Sequence, residues 1–272
     1  MIGKVCMVTG ATDGVGKVTA QALAQAGATV IGVGRDPDKI NAVLAETDAT
    51  PGSLEFMTAD LSSQASVRAL ANEFKQKYDR LHVLVNNAGA LFTRYHESAD
   101  GIEMTFALNH LAYFLLTNLL LDTICASAPA RIINVSSNAH EGRTLNFDDL
   151  QLKRSYEAWA AYGASKLANL LFTYELERRL QGTAVTVNAV HPGFVNTNFQ
   201  RAAGLNMQGP LTPAEGADTQ IWLATSDDVE GVTGKYFVRR HDTRSSDVSY
   251  DEAAARQLWD MSAKMVGLPT SD

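Results

Sequence analysis

The chain has 272 residues, a formal net charge of −7 and an isoelectric point near 5.4. An acidic balance of this kind argues against a nucleic-acid partner, which selects basic faces, and against an anionic membrane surface. Hydrophobic residues make up 46% of the sequence, enough to bury a real core. The two cysteines, Cys6 and Cys125, fall in apolar runs, where free thiols in a reducing compartment are expected.

In chain order, KVCMVTG reads as a strand almost at the first methionine. No signal peptide is therefore expected, and the expected setting is cytoplasmic. The turn TGATDGVG leads into a helix, GKVTAQALAQAGA, ended by Gly27. TVIGVGR is a second strand and DPDKINAVLAET a second helix. SLEFMTADL is a third strand, followed by SSQASVRALANEFKQKY, a helix with a serine cap. RLHVLVNNAG is a fourth strand, and DGIEMTFALNHLAYFLLTNLLL a long, largely buried helix. No uninterrupted apolar run is long enough to span a bilayer; LAYFLLTNLLL, the nearest, is short and carries Thr117 and Asn118. ARIINVSS is a fifth strand, and an irregular stretch from Asn138 to about Glu157 precedes the helix AAYGASKLANLLFTYELERRL. AVTVNAVHPG is a sixth strand, TPAEGADTQIWLAT a helix with Pro213 in its first turn, and GKYFV a seventh strand. A terminal helix covers about 250–266.

Apolar strands separated by helices predict an α/β fold: one doubly wound Rossmann domain over 1–272, with a mainly parallel seven-stranded sheet covered on both faces. Ligands of such domains bind beyond the carboxyl ends of the strands. The polar stretch at about 198–212 is expected to be a lid or substrate loop over that edge.

Chemistry-bearing residues do collect there. After the first strand, Gly10, Gly14 and Gly16, with Thr12 among them, allow the backbone to approach a pyrophosphate at a helix N-terminus. Their spacing is looser than G-x-G-x-x-G. The second strand ends in Gly34 and Arg35. An acidic residue there holds a ribose 2′-hydroxyl, whereas an arginine suits a 2′-phosphate, so NADP is expected ahead of NAD. Asp36 and Asp13 are opposing charges. Asp60 and Leu61 follow the third strand, Asn87 and Gly89 the fourth, Ser136 and Ser137 the fifth, and HPG leading to Thr197 the sixth. Each alone passes for a cap or a turn; their placement at one edge points to one site.

Tyr162 and Lys166 lie one turn apart and share a helix face, followed on the same strip by Asn169 and Thr173. An exposed pair of this type is worth little by itself; beside the edge residues it reads as a device for moving protons. The six histidines show no metal-ligand spacing, and no metal is expected. His110 and His191 read as satisfied structural residues. Ser137 lacks the surroundings of a hydrolase nucleophile.

TGATDGVG, NNAG, NVSS, YGASK and HPGFVNT, in this order, resemble the short-chain dehydrogenase/reductase superfamily over essentially the whole chain. RIINVSSNAH, NFDDLQ and SKLANLLFTYELERRLQGTAVTVNAVHPG are similar to its retinol dehydrogenase-like branch. The resemblance implies an NAD(P)-dependent oxidoreductase interconverting an alcohol and an aldehyde or ketone. It makes Tyr162 the catalytic acid/base and Lys166 the charge that lowers the phenol's pKa and holds the nicotinamide ribose. Ser137 would hydrogen-bond the substrate oxygen, and Asn109 would hold a relay water. Thr197 and the backbone near Val195 would hold the carboxamide. Leu91, Phe92, Phe199, Leu205 and Met207 favour a small to medium apolar substrate.

Membrane-bound relatives carry an apolar N-terminal anchor, which is not expected here. The long segment between Ser137 and Tyr162 is expected to alter the interface of the common tetrameric members or to cap the active site, leaving monomer or homo-oligomer open. Two other uses of the fold stand beside this one: a non-catalytic dinucleotide-binding regulator, and a C=C reductase or epimerase.

Overall fold

In the computed structural model, residues 1–47, 50–197, 199 and 209–270 are described. The β-branched runs form β1 (Val5–Thr9), β2 (Thr29–Gly34), β3 (Ser53–Thr58), β4 (Val83–Asn86), β5 (Ala130–Val135), β6 (Val185–His191) and β7 (Tyr236–Val238), all in parallel. An eighth strand, β8 (His241–Asp242), pairs antiparallel with β7. Its two residues are too few to carry a hydrophobic period, so the expected seven strands become eight.

The order β3-β2-β1-β4-β5-β6-β7-β8 starts in mid-sheet and reverses between β1 and β4. That reversal opens a crevice at the carboxyl edge.

Alternate residues of each strand face opposite layers. Met7, Ile31, Leu84, Ile132 and Val187 pack beneath α3 (Gln64–Lys77), α4 (Met104–Ala126) and α5 (Ala158–Arg179). Cys6, Val8, Val30, Val85 and Ile133 pack beneath α1 (Gly14–Gln25) and α6 (Pro213–Thr225). Burial pushes the Cys6 thiol up to about 12; Cys125 is half-buried, and both thiols are free. The short α2 (Pro37–Glu46) follows β2, capped by Asp36.

Two features depart from the linear reading. With 23 residues, α4 is long and apolar enough to cross a membrane by length and composition, contrary to the expectation from LAYFLLTNLLL. Most of its apolar surface is spent inside the molecule, 72% of the most apolar window being buried, as suits a core helix. It also contains a π turn over Ala107–Leu111, where Ala112 N–H donates to the Ala107 carbonyl. Such turns widen a helix by one residue and re-aim its side chains; here Asn109 lies in the widened turn.

The last helix, α7 (Glu252–Met265), closes over α4 and α5. The Trp259 ring meets Phe114 at 4.9 Å and Phe172 at 5.8 Å, and the Arg179 guanidinium lies 4.0 Å from its centroid. The long segment after Ser137 docks on the loop that follows β4. Tyr156 donates to the Phe92 carbonyl at 2.7 Å, and Glu103 N–H to Gln151 at 3.0 Å, with Leu150 in the core. Of the expected lid, residues 198 and 200–208, including Leu205 and Met207, lie outside the described residues.

Candidate active site

The turn between β1 and α1 is a backbone construction. Gly10 and Gly14 have φ of 67° and 51°, a region that favours glycine. A Cβ on Gly10 would come within 2.9 Å of Ala88 Cα, and one on Gly16 would overlap the Gly10 carbonyl and the Asn87 amide. Thr9 presses this turn against the end of β4. Its Oγ1 accepts from Asn87 N–H at 2.8 Å and Ala88 N–H at 3.1 Å, while the Asn87 side chain donates to the Thr9 carbonyl at 2.9 Å. Asp13 caps α1 by accepting from Gly14 N–H at 2.7 Å.

At the end of β2 the Thr12 methyl stands where a Gly34 Cβ would go. A larger residue at that position would require the Thr12 side chain to shift. Arg35 beyond it is exposed, and Asp36 turns away to accept from Asp38 N–H at 3.0 Å and Lys39 N–H at 3.3 Å. After β3, the exposed Asp60 accepts from Ser62 N–H and Oγ at 3.0 and 2.7 Å, above a buried Leu61. After β6, Val195 bridges to Leu211 and packs near Gly216, while the Thr197 methyl lies 2.9 Å from where a Gly14 Cβ would stand.

The β4–β6 side is built from buried amides and hydroxyls. The Asn86 side chain donates to Thr117 Oγ1 and Asn134 Oδ1, both at 2.9 Å, and Asn134 donates to Thr173 Oγ1 at 3.0 Å. Asn169 donates to the carbonyls of Asn109 at 2.9 Å and Val135 at 3.2 Å. The Asn109 side chain accepts from Ala90 N–H and donates to the Ala90 carbonyl, each at 2.9 Å, and donates to Ser165 Oγ at 3.1 Å. These bonds lock the π turn to the loop after β4 and to α5. A Cβ on Gly89 would lie 3.3 Å from Asn109 Oδ1 and 3.5 Å from Lys166 Nζ. The glycine keeps that corner narrow.

On α5, Lys166 is buried and donates to the Val135 carbonyl at 3.2 Å; its Nζ lies 5.4 Å from the centroid of the Tyr162 ring. The Ser137 hydroxyl stands beside the Tyr162 phenol, donates to Asn138 Oδ1 at 3.4 Å and accepts from Ala139 N–H at 3.2 Å, which fixes the short turn after β5. Trp159 and Phe199 flank the Tyr162 ring at 5.9 and 5.3 Å.

The electrostatics correct one expectation. Burial pushes the Tyr162 phenol up to about 12 despite the Ser137 hydrogen bond, and burial pulls the Lys166 ammonium down to about 7. The ammonium sits over the ring, and desolvation is the leading cause of the shift in both groups. His110 is a satisfied core residue: Nδ1 pairs with Asn169 Oδ1 at 3.2 Å, Nε2 with Ser262 Oγ at 3.0 Å, and burial holds it near 4. His191 is not satisfied among the described residues, where its buried Nδ1 has no partner. Among the described residues, no three His, Cys, Asp or Glu side chains converge to hold a metal.

All the residues singled out at the strand ends thus lie along one carboxyl edge. The catalytic candidates Ser137, Tyr162, Lys166 and Asn109 form one connected group, whereas Arg35 and Asp60 stand at its β2–β3 side. Reading the sequence missed Thr9, Asn134, Trp159 and Tyr113. For Asn134 a signal existed, since an amide inside the apolar strand ARIINV has to find a buried partner.

A doubly wound sheet with this edge is the architecture of a nucleotide-dependent oxidoreductase. The chain belongs to the short-chain dehydrogenase/reductase family, whose "short chain dehydrogenase" description matches residues 4–208, and within it to the retinol dehydrogenase-like branch. It is 44% identical to retinol dehydrogenase 14 of Mus musculus, over 98% of this chain and 87% of that protein. To polyprenol dehydrogenase of Homo sapiens the identity is 41%, over 97% and 86%. Among solved structures, an uncharacterized protein from Mycobacterium paratuberculosis superposes with a TM-score of 0.82 at 32% identity, covering 100% of this chain and 96% of that one. A Pseudomonas aeruginosa RhlG/NADP active-site complex gives 0.69 at 29% identity, over 87% and 94%. Family and relatives together make the chain an alcohol/carbonyl oxidoreductase that uses a nicotinamide dinucleotide.

Proposed function

We propose that the chain reduces an aldehyde or ketone of a small to medium apolar molecule, or oxidises the corresponding alcohol, with NADP and with Tyr162 as the acid/base. The carrying observation is the meeting of three groups: Ser137 beside the Tyr162 phenol, and the Lys166 ammonium over the same ring. The residues of the edge fit a dinucleotide, since the cradle of Gly10, Gly14 and Gly16 has no room for side chains and opens at the N-terminus of α1. When bound, that group supplies or accepts the hydride.

Everything else falls to the chain. The glycine turn with Thr12 faces the pyrophosphate. Asp60 and Leu61 stand on the adenosine side, Asn87 lies behind the glycine turn, Gly89 lies at the Lys166 corner, and Val195 and Thr197 would hold the carboxamide. Lys166 engages one acceptor, the Val135 carbonyl, and keeps donors for the nicotinamide ribose. Ser137 holds the substrate oxygen as negative charge develops, and Tyr162 gives its proton to that oxygen or takes it back. Asn109 fixes the relay corner behind Lys166. Two observations favour NADP over NAD: β2 ends in Gly34, which has no carboxylate to offer the ribose, and Arg35 is exposed beside it. Trp159 and Phe199 around the phenol favour an apolar substrate, in keeping with the retinol and polyprenol of the relatives' names.

Turnover of the purified chain with NADPH and NADH, against retinaldehyde and shorter aldehydes, ketones and alcohols, tests this reading. The expected result is a kcat/KM about tenfold or more higher with NADPH, equivalent to about 1.4 kcal/mol from the Arg35 side. A preference for NADH would overturn the Arg35 argument. Dinucleotide binding with no turnover on the whole panel would favour the regulatory alternative.

A further inference from the structure

Tyr113 is an oddity of the α4 core face. Its side chain is buried among the apolar residues of the YFLL run, yet its hydroxyl has no hydrogen-bond partner among the described residues. A buried hydroxyl without a partner lowers stability, and phenylalanine would fill the same space without that penalty. The ring is not surrounded by hydrocarbon alone. Lys166 Nζ lies 5.8 Å from its centroid, and Asn109 precedes it by four residues on the same helix. Lys166 thus lies over the face of the Tyr113 ring, and burial, with the nearby Tyr162 phenol adding to the effect, keeps the Tyr113 phenol protonated.

Lys166 shows the complementary deficit. A buried ammonium has three N–H donors; among the described residues this one has a single acceptor, the Val135 carbonyl, so a donor is left over even when the nicotinamide ribose takes another. A buried charge with so few partners is poorly held in one place. We propose that the Tyr113 hydroxyl positions Lys166 through one bridging water, which keeps the ammonium over the Tyr162 ring. The two groups supply the two partners that a buried water requires, and the water satisfies an orphan on each side. Tyr113 is then a positioning residue: it touches neither substrate nor the reacting atoms, and it acts only through Lys166.

The inference rests on the acid/base reading of Tyr162 and Lys166, and the test separates the two. In Tyr113→Phe the hydroxyl alone is lost. The expected outcome is a thermal midpoint close to that of the wild type, with NADPH affinity and substrate KM within twofold. The kcat falls by about five- to twentyfold, and the solvent deuterium isotope effect on kcat grows as proton transfer becomes more limiting. A high-resolution crystal structure shows a water between the Tyr113 hydroxyl and Lys166 Nζ in the wild type and none in the variant. Unchanged kcat and isotope effect would overturn the proposal, and so would a fall in kcat accompanied by a lower thermal midpoint, which marks a packing role. Tyr162→Phe, assayed in parallel, identifies which claim fails. If it abolishes turnover while Tyr113→Phe is silent, only the positioning role is lost; if it retains turnover, the acid/base reading fails and this proposal with it.

Discussion

Along the carboxyl edge of the sheet, the β1–β3 half and the β4–β6 half are made by opposite means. The first is shaped by missing side chains: Gly10 and Gly16 press backbone to backbone, and Gly34 yields its place to the Thr12 methyl. The second is shaped by side chains that reach one another under the sheet edge, from Thr117 through Asn86 and Asn134 to Thr173. A phosphate-bearing ligand needs close approach and free N–H groups, which glycine supplies without a permanent charge. A proton-transfer site needs groups held at unusual ionisation, which only burial among satisfied dipoles supplies. The first half should therefore fail when atoms are added, and the second when charge or hydrogen-bonding capacity is taken away.

The sharpest way to break the first half is Gly16→Ala. Its Cβ would overlap the backbone of Gly10, which has no rotamer to yield. Overpacking of this kind costs about 1–3 kcal/mol of stability. NADPH affinity should fall about tenfold or more, equivalent to about 1.4 kcal/mol; thermal unfolding and a fluorescence titration read the two effects.

The second half is probed through pH. Lys166 is pulled from 10.5 to about 7 by burial. Between those values the unfolded chain holds a proton that the folded chain has released, so the lysine's contribution to stability rises with pH across that window. Below pH 7 both states are protonated and the contribution is flat, with the burial penalty in full. The unfolding free energy of the wild type relative to Lys166→Met should thus climb from pH 7 to 9, by at most about 1.4 kcal/mol per pH unit. A difference that stays level, or falls, would contradict the buried ammonium.

The smallest expected effect returns to the first half. Asp13 caps α1 with a carboxylate in the turn assigned to phosphate. Asp13→Asn keeps the capping oxygen and removes the charge, so NADPH should bind two- to fivefold more tightly, about 0.4–1 kcal/mol. Weaker binding would mean that the carboxylate has another task.

These contrasts explain what was readable in the sequence. Alternating apolar runs gave β1–β7 and the helices, because a doubly wound sheet imposes its periods on neighbouring residues. Gly10, Gly14 and Gly16 stood out since a backbone requirement leaves its mark on single positions. Tyr162 and Lys166 were legible because four residues is one helical turn. The Asn86–Asn134–Thr173 ladder was not, as its members are 48 and 39 residues apart. The two-residue β8 and the π turn at Asn109 have no periodic signature. Tyr113 was hidden by its apolar neighbours. The phenol's pKa was expected on the wrong side of its ordinary value because a charged neighbour shows in sequence and burial does not. Lid residues Leu205 and Met207 lie outside the described residues.

The central claim is that the Tyr162 phenol is the proton donor and acceptor, and single-turnover kinetics of Tyr162→Phe with saturating NADPH test it most directly. The phenyl ring keeps its packing against Trp159 and Phe199 and loses only the hydroxyl. The account predicts a drop of about 10²–10⁴-fold in the rate of NADPH oxidation, with dinucleotide affinity unchanged. A variant that turns over at a rate near that of the wild type would contradict it.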